Sequence, residues 1–151
     1  MAHSLAMIYI HAVFSTKNRK PFFKNENIRE DLHSYIAKII SEQDSLPIEI
    51  GGHEDHVHVL FNLSENVSLD DLLNLIKTNS SKWLKTQGEE FAEFQWQSGY
   101  GAVTIGEPDR IETIDHIKNQ DEYHKNITFQ EEFILFLKEN DIDYNEQHLW
   151  G

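Results

Sequence analysis

The sequence contains no cysteine among its 151 residues, which excludes disulfide bonds and thiolate metal ligands. It also has no apolar run approaching the roughly 20 residues that a transmembrane helix requires, so we predict no membrane partner. Residues 1–14 are apolar but alternating, and they lack a basic start and a small-residue cleavage site. We therefore expect a strand there rather than a signal peptide, and a cytoplasmic protein.

Positive charge is scarce, since 13 lysines and arginines stand against 26 aspartates and glutamates, for a formal net charge of −13. Phosphate contacts need basic side chains, so this balance argues against a simple nucleic-acid binder. The charges are unevenly distributed, however. Residues 1–25 carry four lysines and arginines and no acid, whereas residues 107–146 carry twelve acids and four such bases. The sequence therefore leaves room for a basic surface on an acidic chain.

Hydrophobic periodicity predicts one domain over residues 1–151 with the element order β-α-β-β-α-β-α-α. The predicted strands cover residues 5–15, 46–50, 57–63 and 94–105. Two predicted helices cover residues 26–43 and 128–140. Two more lie between them: one begins at the cap Ser68, and the next has Pro108 in its first turn. This split β-α-β pattern predicts an α+β, ferredoxin-like fold: an antiparallel sheet with helices on one face and a C-terminal helical extension.

The sharpest local pattern is His56-Val57-His58, which follows Gly51-Gly52 and three polar residues. Residues two apart in a strand point to the same face, so His56 and His58 are expected to project side by side. Two neighbouring imidazoles can chelate a divalent metal ion. A pattern this short is also found as two polar residues on an exposed strand, so it is weak evidence by itself.

A second polar group lies on the predicted third helix, where His116, Gln120, Tyr123 and His124 share one face. Ile111, Ile114 and Ile117 are expected to anchor the opposite side. Such a face is often merely solvated, but histidine, glutamine and tyrosine together are less typical of a plain surface than lysine and glutamate.

Two basic clusters are candidates for binding phosphate. The loop after the first strand contains Lys17, Arg19 and Lys20. The second helix places Lys77, Ser81, Lys82 and Lys85 along its surface, and lysines mixed with hydroxyls can contact phosphate oxygens. Either cluster is also compatible with an ordinary solvated surface.

Taken in order along the chain, these segments resemble the single-tyrosine HUH (His-hydrophobic-His) transposases of small bacterial insertion sequences, including their REP-associated relatives. The segments that carry the resemblance are residues 13–19, 51–61, 77–84, 96–102, 117–120 with His124, 129–133 and 142–150. Each motif is modest, but their order over nearly the whole chain is specific.

The resemblance implies a dimeric, ferredoxin-like transposase that acts on single-stranded or hairpin DNA. It implies that His56, His58 and Gln120 bind Mg²⁺ or Mn²⁺, which polarises the scissile phosphate. In the family, a tyrosine four residues before the glutamine attacks the phosphorus and forms a covalent intermediate. Here that position holds His116, which departs from the family pattern.

Three hypotheses follow from this departure. In the first, the protein keeps its metal site and some DNA binding, but strand cleavage is impaired or absent. In the second, it is an active strand transferase that uses His116 or the substitute nucleophile Tyr123. In the third, it is a non-catalytic dimeric module with a regulatory role, which the net charge of −13 supports.

Overall fold

A computed structural model describes residues 3–151; Met1 and Ala2, the first residues of the predicted domain, lie outside the described residues. The four strands are β1 (Tyr9–Ser15), β2 (Leu46–Gly52), β3 (His56–Asn62) and β4 (Gly101–Ile105). The helices are α1 (Glu26–Glu42), α2 (Leu69–Lys85), α3 (Arg110–Lys118), α4 (Gln120–Tyr123), α5 (Phe129–Glu139) and α6 (Glu146–Leu149). The predicted element order is confirmed, with α4 and α6 as additional single turns.

The four strands form one sheet in the order β2-β3-β1-β4, and every neighbouring pair is antiparallel. The predicted α+β, ferredoxin-like fold is therefore confirmed. β1 is central and buried along its whole length, because helices pack over both faces of the sheet.

Helices α1 and α2 pack on one face of the sheet, where Ile10, Phe14 and Phe61 meet Ile36 and Leu73 in the main core. Asn25 and Ser68 cap the two helices by accepting hydrogen bonds from backbone N–H groups of the first turn. The C-terminal extension lies over the opposite face, where residues such as Tyr9, Leu60 and Ile117 form a smaller cluster.

Three predicted boundaries were wrong. β1 begins at Tyr9, not at residue 5, because its partner strands end opposite Tyr9, at Asn62 and Ile105. The strand predicted over residues 94–105 is regular only from Gly101; before it, a single bridge joins Trp96 to Thr16. The third helix is interrupted at Asn119, which separates α3 from α4.

Within residues 3–151, no helix combines the length and apolar character needed to cross a membrane.

His33 on α1 makes stability depend on pH. Its Nε2 atom is buried without a hydrogen-bond partner. Burial, together with the nearby charges of Arg29 and His56, outweighs the opposing effect of Asp121 and lowers the pKa of His33 to about 4 from 6.5. A histidine whose folded pKa is depressed contributes stability above its unfolded pKa, and this is lost as pH falls.

Between pH 6.5 and pH 4, the wild-type protein should lose about 2–3 kcal/mol more of its free energy of unfolding than the His33→Leu variant does. Urea unfolding of both proteins at intervals across this range measures the effect. Parallel stability profiles for wild type and variant would contradict the assignment.

Candidate functional site

The two histidines of the His-x-His pattern lie on the face of β3 that α3 and α5 cover. His56 pairs with Ser15 of β1 and His58 with Val13, which places both near one end of the sheet. Their side chains are almost completely buried, at 0% and 2% exposed. Buried imidazoles need hydrogen-bond partners, so the groups around them determine their chemistry.

Gln120 reaches this pair from the start of α4. Its Oε1 atom lies 2.7 Å from Nε2 of His56 and 2.9 Å from Nε2 of His124. Its Nε2 donates to Oε2 of Glu132 at 2.8 Å. Because only the amide nitrogen can donate to a carboxylate, this contact fixes which way the Gln120 amide points.

Glu132 on α5 is a candidate functional residue that the sequence patterns did not single out. Its carboxylate is 5% exposed and lies among four histidines: Oε1 is 3.2 Å from Nε2 of His56, and 3.1 Å from Nε2 of both His58 and His124. Oε2 is 2.8 Å from Nε2 of His116. A carboxylate at this depth is stable only when it is paired in this way.

A signal for Glu132 does exist in the sequence. It occupies the same helical stripe as Phe129 and Phe136, three residues before it and four after it, so an acid stands where the amphipathic pattern calls for a core residue.

The charges of this cluster are strongly coupled. Burial alone would raise the pKa of Glu132, but hydrogen bonds from His116, His124, His56 and His58 outweigh it and hold that pKa far below its usual range. Burial has the opposite effect on a histidine: it lowers the pKa of His58 to about 4, although the nearby Glu132 carboxylate acts to raise it. For His56, hydrogen bonds to Asp55 and Glu132 outweigh burial and raise the pKa to about 9.

The Nδ1 atoms of His56, His58 and His124 also have hydrogen-bond partners. His56 Nδ1 donates to the carboxylate of Asp55 at 2.7 Å, and His124 Nδ1 donates to the carbonyl oxygen of Ile127 at 2.8 Å. His58 Nδ1 lies 2.9 Å from Nε2 of His11 on β1. Outer partners of this kind orient a metal-binding histidine and fix its tautomer.

These donors suit a divalent metal ion. One ligand atom from each of His56, His58 and Glu132 lies within 4.8 Å of the other two, and all three residues are buried. Imidazole nitrogen and carboxylate oxygen are common ligands of divalent first-row metals. The residues therefore fit the ion that the family resemblance implies, without identifying it.

His116 and Tyr123 lie beside the cluster. The His116 side chain is 35% exposed, bonds to Glu132, and has its ring centroid 4.8 Å from that of Tyr123. Burial, followed by the charges of Glu132, Glu139 and Glu131, raises the pKa of Tyr123. The two rings are therefore in contact although their backbones are seven residues apart on consecutive helices.

A half-open cavity of about 430 Å³ lies next to the cluster, between α3, α5 and the sheet. His58, His116 and Tyr123 form part of its wall, and Asp109, Glu112 and Glu139 are also on its lining. The acidic lining does not favour a phosphate group in this cavity.

The two basic clusters lie in different places. Lys17 and Arg19 form a helical turn after β1, and the backbone N–H of the preceding Thr16 donates to the carbonyl of Asp55 at 2.9 Å, beside His56. Arg19 packs over the ring of Trp150 and donates to its carbonyl, while Lys20 packs over Phe22.

The α2 cluster is on the helical layer across the sheet from the histidines. Lys77 donates to the carbonyl oxygens of Gln97 and Gly99, and burial lowers its pKa to about 8. Ser81 is half-buried, whereas Lys82 and Lys85 are exposed. Of this group, the two lysines at the end of α2 are the most accessible.

Comparisons with known proteins agree on one family. Residues 4–120 match the profile of the family described as "Transposase IS200 like". The chain is 26% identical over 133 residues to the transposases for insertion sequence element IS200 of Salmonella typhimurium and Salmonella typhi, covering 83% of this chain and 84% of each relative.

Solved structures have the same fold. A candidate transposase from Deinococcus radiodurans superposes with a TM-score of 0.61 at 17% identity, over 78% of this chain and 93% of that one. A REP-associated tyrosine transposase bound to a REP hairpin superposes with a TM-score of 0.60 at 14% identity, over 81% of this chain and 71% of that one.

Proposed function

Because this chain belongs to the IS200-like transposase family, we propose that it holds a divalent metal ion at His56, His58 and Gln120 and binds single-stranded or hairpin DNA, with strand cleavage impaired or absent. The metal part of this proposal is supported by two contacts among buried side chains. Gln120 Oε1 lies 2.7 Å from Nε2 of His56, and Glu132 Oε1 lies 3.2 Å and 3.1 Å from Nε2 of His56 and His58. A bound Mg²⁺ or Mn²⁺ supplies electrophilic stabilisation of a phosphate group.

DNA binding is supported by family membership and by the solved relative that is bound to a REP hairpin. In this chain, the turn containing Lys17, Arg19 and Lys20 lies next to Asp55 and therefore close to His56. We propose that this turn contacts the phosphates near the metal. Lys77, Ser81, Lys82 and Lys85 would contact a more distant part of the DNA, since α2 lies across the sheet.

Impaired cleavage is supported by one observation above all: Nε2 of His116, at the position of the family tyrosine, is 2.8 Å from Oε2 of Glu132. The same carboxylate contacts both His56 and His58, so it occupies the space between the nucleophile position and the histidine pair. A phosphate would have to enter this space to come within the roughly 3–3.5 Å needed for attack.

Two observations disfavour Tyr123 as a substitute nucleophile. It faces His116 from the cavity side, and the raised pKa of its phenol disfavours the phenolate that would attack phosphorus.

We also propose that the chain functions as a homodimer, as the family resemblance implies. The second candidate function is a non-catalytic dimeric regulatory module. The net charge of −13 and the acidic side chains in the cavity wall favour it.

A hairpin-binding assay tests the proposal. A labelled DNA hairpin with a single-stranded flank is incubated with the protein and Mn²⁺ at low salt. We expect a shifted band on a native gel and no covalent protein–DNA band on a denaturing gel. Binding should weaken as salt is raised, because phosphate contacts release counterions.

A covalent band from the wild-type protein would contradict impaired cleavage and favour an active strand transferase. The variants His116→Phe and Tyr123→Phe would then identify the nucleophile, since only one of them should lose the band. Absence of any shift at low salt would instead favour the non-catalytic module.

A further inference from the structure

We infer that His124 and Glu132 join His56, His58 and Gln120 as ligands, so that the chain holds its metal in a five-donor, imidazole-rich site that prefers Mn²⁺ and the later transition metals to Mg²⁺. This inference rests on the proposed metal function and adds two ligands and a selectivity to it.

Five separations between these donor atoms are those of neighbouring ligands in one coordination sphere. Glu132 Oε1 lies 3.1–3.2 Å from Nε2 of His56, His58 and His124. Gln120 Oε1 lies 2.7 Å from Nε2 of His56 and 2.9 Å from Nε2 of His124. Adjacent ligands of an octahedral ion with bonds of about 2.1 Å are about 3.0 Å apart, so these separations are the expected edges of such a site.

The hydrogen bonds of His124 aim its lone pair at the same point. Its Nδ1 must carry a proton, because the carbonyl oxygen of Ile127 can only accept. In the neutral ring, Nε2 is therefore an acceptor, and it faces two further acceptors, Oε1 of Gln120 and Oε1 of Glu132. Three acceptors this close require a proton or a metal ion between them, and a metal ion at this point would satisfy all three.

The two oxygens of Glu132 have separate roles in this arrangement. Oε1 faces the three Nε2 atoms, while Oε2 is held at 2.8 Å by both His116 and the Gln120 amide. His116 thereby acts as a positioning residue for the carboxylate. His116, at the position of the family tyrosine, and Glu132 on α5 therefore act together to hold the proposed ligand set.

The donor set also explains the expected selectivity. Mg²⁺ prefers oxygen ligands and retains several waters, whereas imidazole favours the later divalent metals. Five protein donors leave an octahedral ion one further position. The ring of Phe129 lies 4.4 Å from that of His56, so the site is covered on that side. The ion would join β3, α4 and α5, as structural metal sites do.

Calorimetric titration of the EDTA-treated protein with Mn²⁺ and with Mg²⁺ tests the inference. We expect Mn²⁺ to bind at least about 100-fold more tightly than Mg²⁺. His124→Phe and Glu132→Gln should each weaken Mn²⁺ binding about 10–100-fold. The matched control is His53→Gln, because His53 stacks on His124 but bonds to Asp121 outside the cluster; its affinity should equal that of wild type.

A second measurement does not depend on variants that fold. Pulsed electron paramagnetic resonance of the wild-type Mn²⁺ complex should show couplings to three imidazole nitrogens. Two couplings, or variants that bind Mn²⁺ as tightly as His53→Gln, would overturn the five-donor site and leave the proposed function standing. Failure of the wild type to bind Mn²⁺ would overturn both.

Discussion

A double variant carrying His116→Tyr and Glu132→Ala is expected to form a covalent adduct with hairpin DNA in the presence of Mn²⁺, whereas the wild-type chain forms none. The first change restores the family nucleophile four residues before Gln120. The second removes the carboxylate that contacts both His56 and His58, and so makes room for a phosphate. Because a missing nucleophile typically costs several orders of magnitude in rate, adduct formation should be roughly 10³-fold or more faster than any residual wild-type reaction.

The control is His116→Phe with Glu132→Ala, which has the same space and no phenol oxygen; it should give no covalent band. His116→Tyr alone should give far less adduct than the double variant, because Glu132 still occupies the site. Equal yields from the single and double variants would show that the carboxylate is no obstacle. If the double variant binds both hairpin and Mn²⁺ but gives no adduct, the idea that His116 and Glu132 account for the lost cleavage is wrong.

Replacing Gly51 with alanine is expected to destabilise the protein by about 1–3 kcal/mol and to weaken metal binding as well. A Cβ atom at Gly51 would lie 2.5 Å from the backbone oxygen of Ile117 and 2.8 Å from its Cγ2. Backbone cannot move aside as a flexible side chain can, so α3 would have to shift away from β2. Gln120 follows Ile117 by three residues and would be displaced from His56.

Gly106→Ala is the matched control, because a Cβ there meets only Pro108 Cδ at 3.6 Å and its φ of −85° suits any residue. Its effect should stay within about 0.5 kcal/mol. Urea unfolding and Mn²⁺ calorimetry on both variants make the comparison. Equal stability and equal affinity for the two variants would show that the contact between Gly51 and α3 does not hold the site.

The Gly51-Gly52 pair shows how local patterns were partly misread. The strands predicted over residues 46–50 and 57–63 left both glycines in the connection between them. Both glycines belong to β2, however, and the turn is confined to residues 53–55. Gly51 is required by the close approach of α3, a long-range contact that a local turn pattern cannot contain.

The strand before β4 was misjudged for a similar reason. Residues 94–105 alternate as a strand should, but regular pairing with β1 begins only at Gly101. Between Trp96 and Gly101 the carbonyls of Gln97 and Gly99 bond to the Lys77 side chain instead of to a strand. Gly99 adopts a φ of +84°, which breaks the extended backbone.

By itself, the sequence determined the elements, the ferredoxin-like order, and the placement of His56 and His58 on one face, because strand and helix periods are local properties. The resemblance to the family added Gln120 to the predicted metal ligands and showed that His116 stands at the position of the family tyrosine. Only the tertiary structure brought Glu132 and His124 to the same point, by packing α5 over β3 and breaking the helix at Asn119. Residues more than sixty positions apart meet there because two apolar helix faces cover one side of a sheet, and no spacing along the chain records which polar groups that packing buries together.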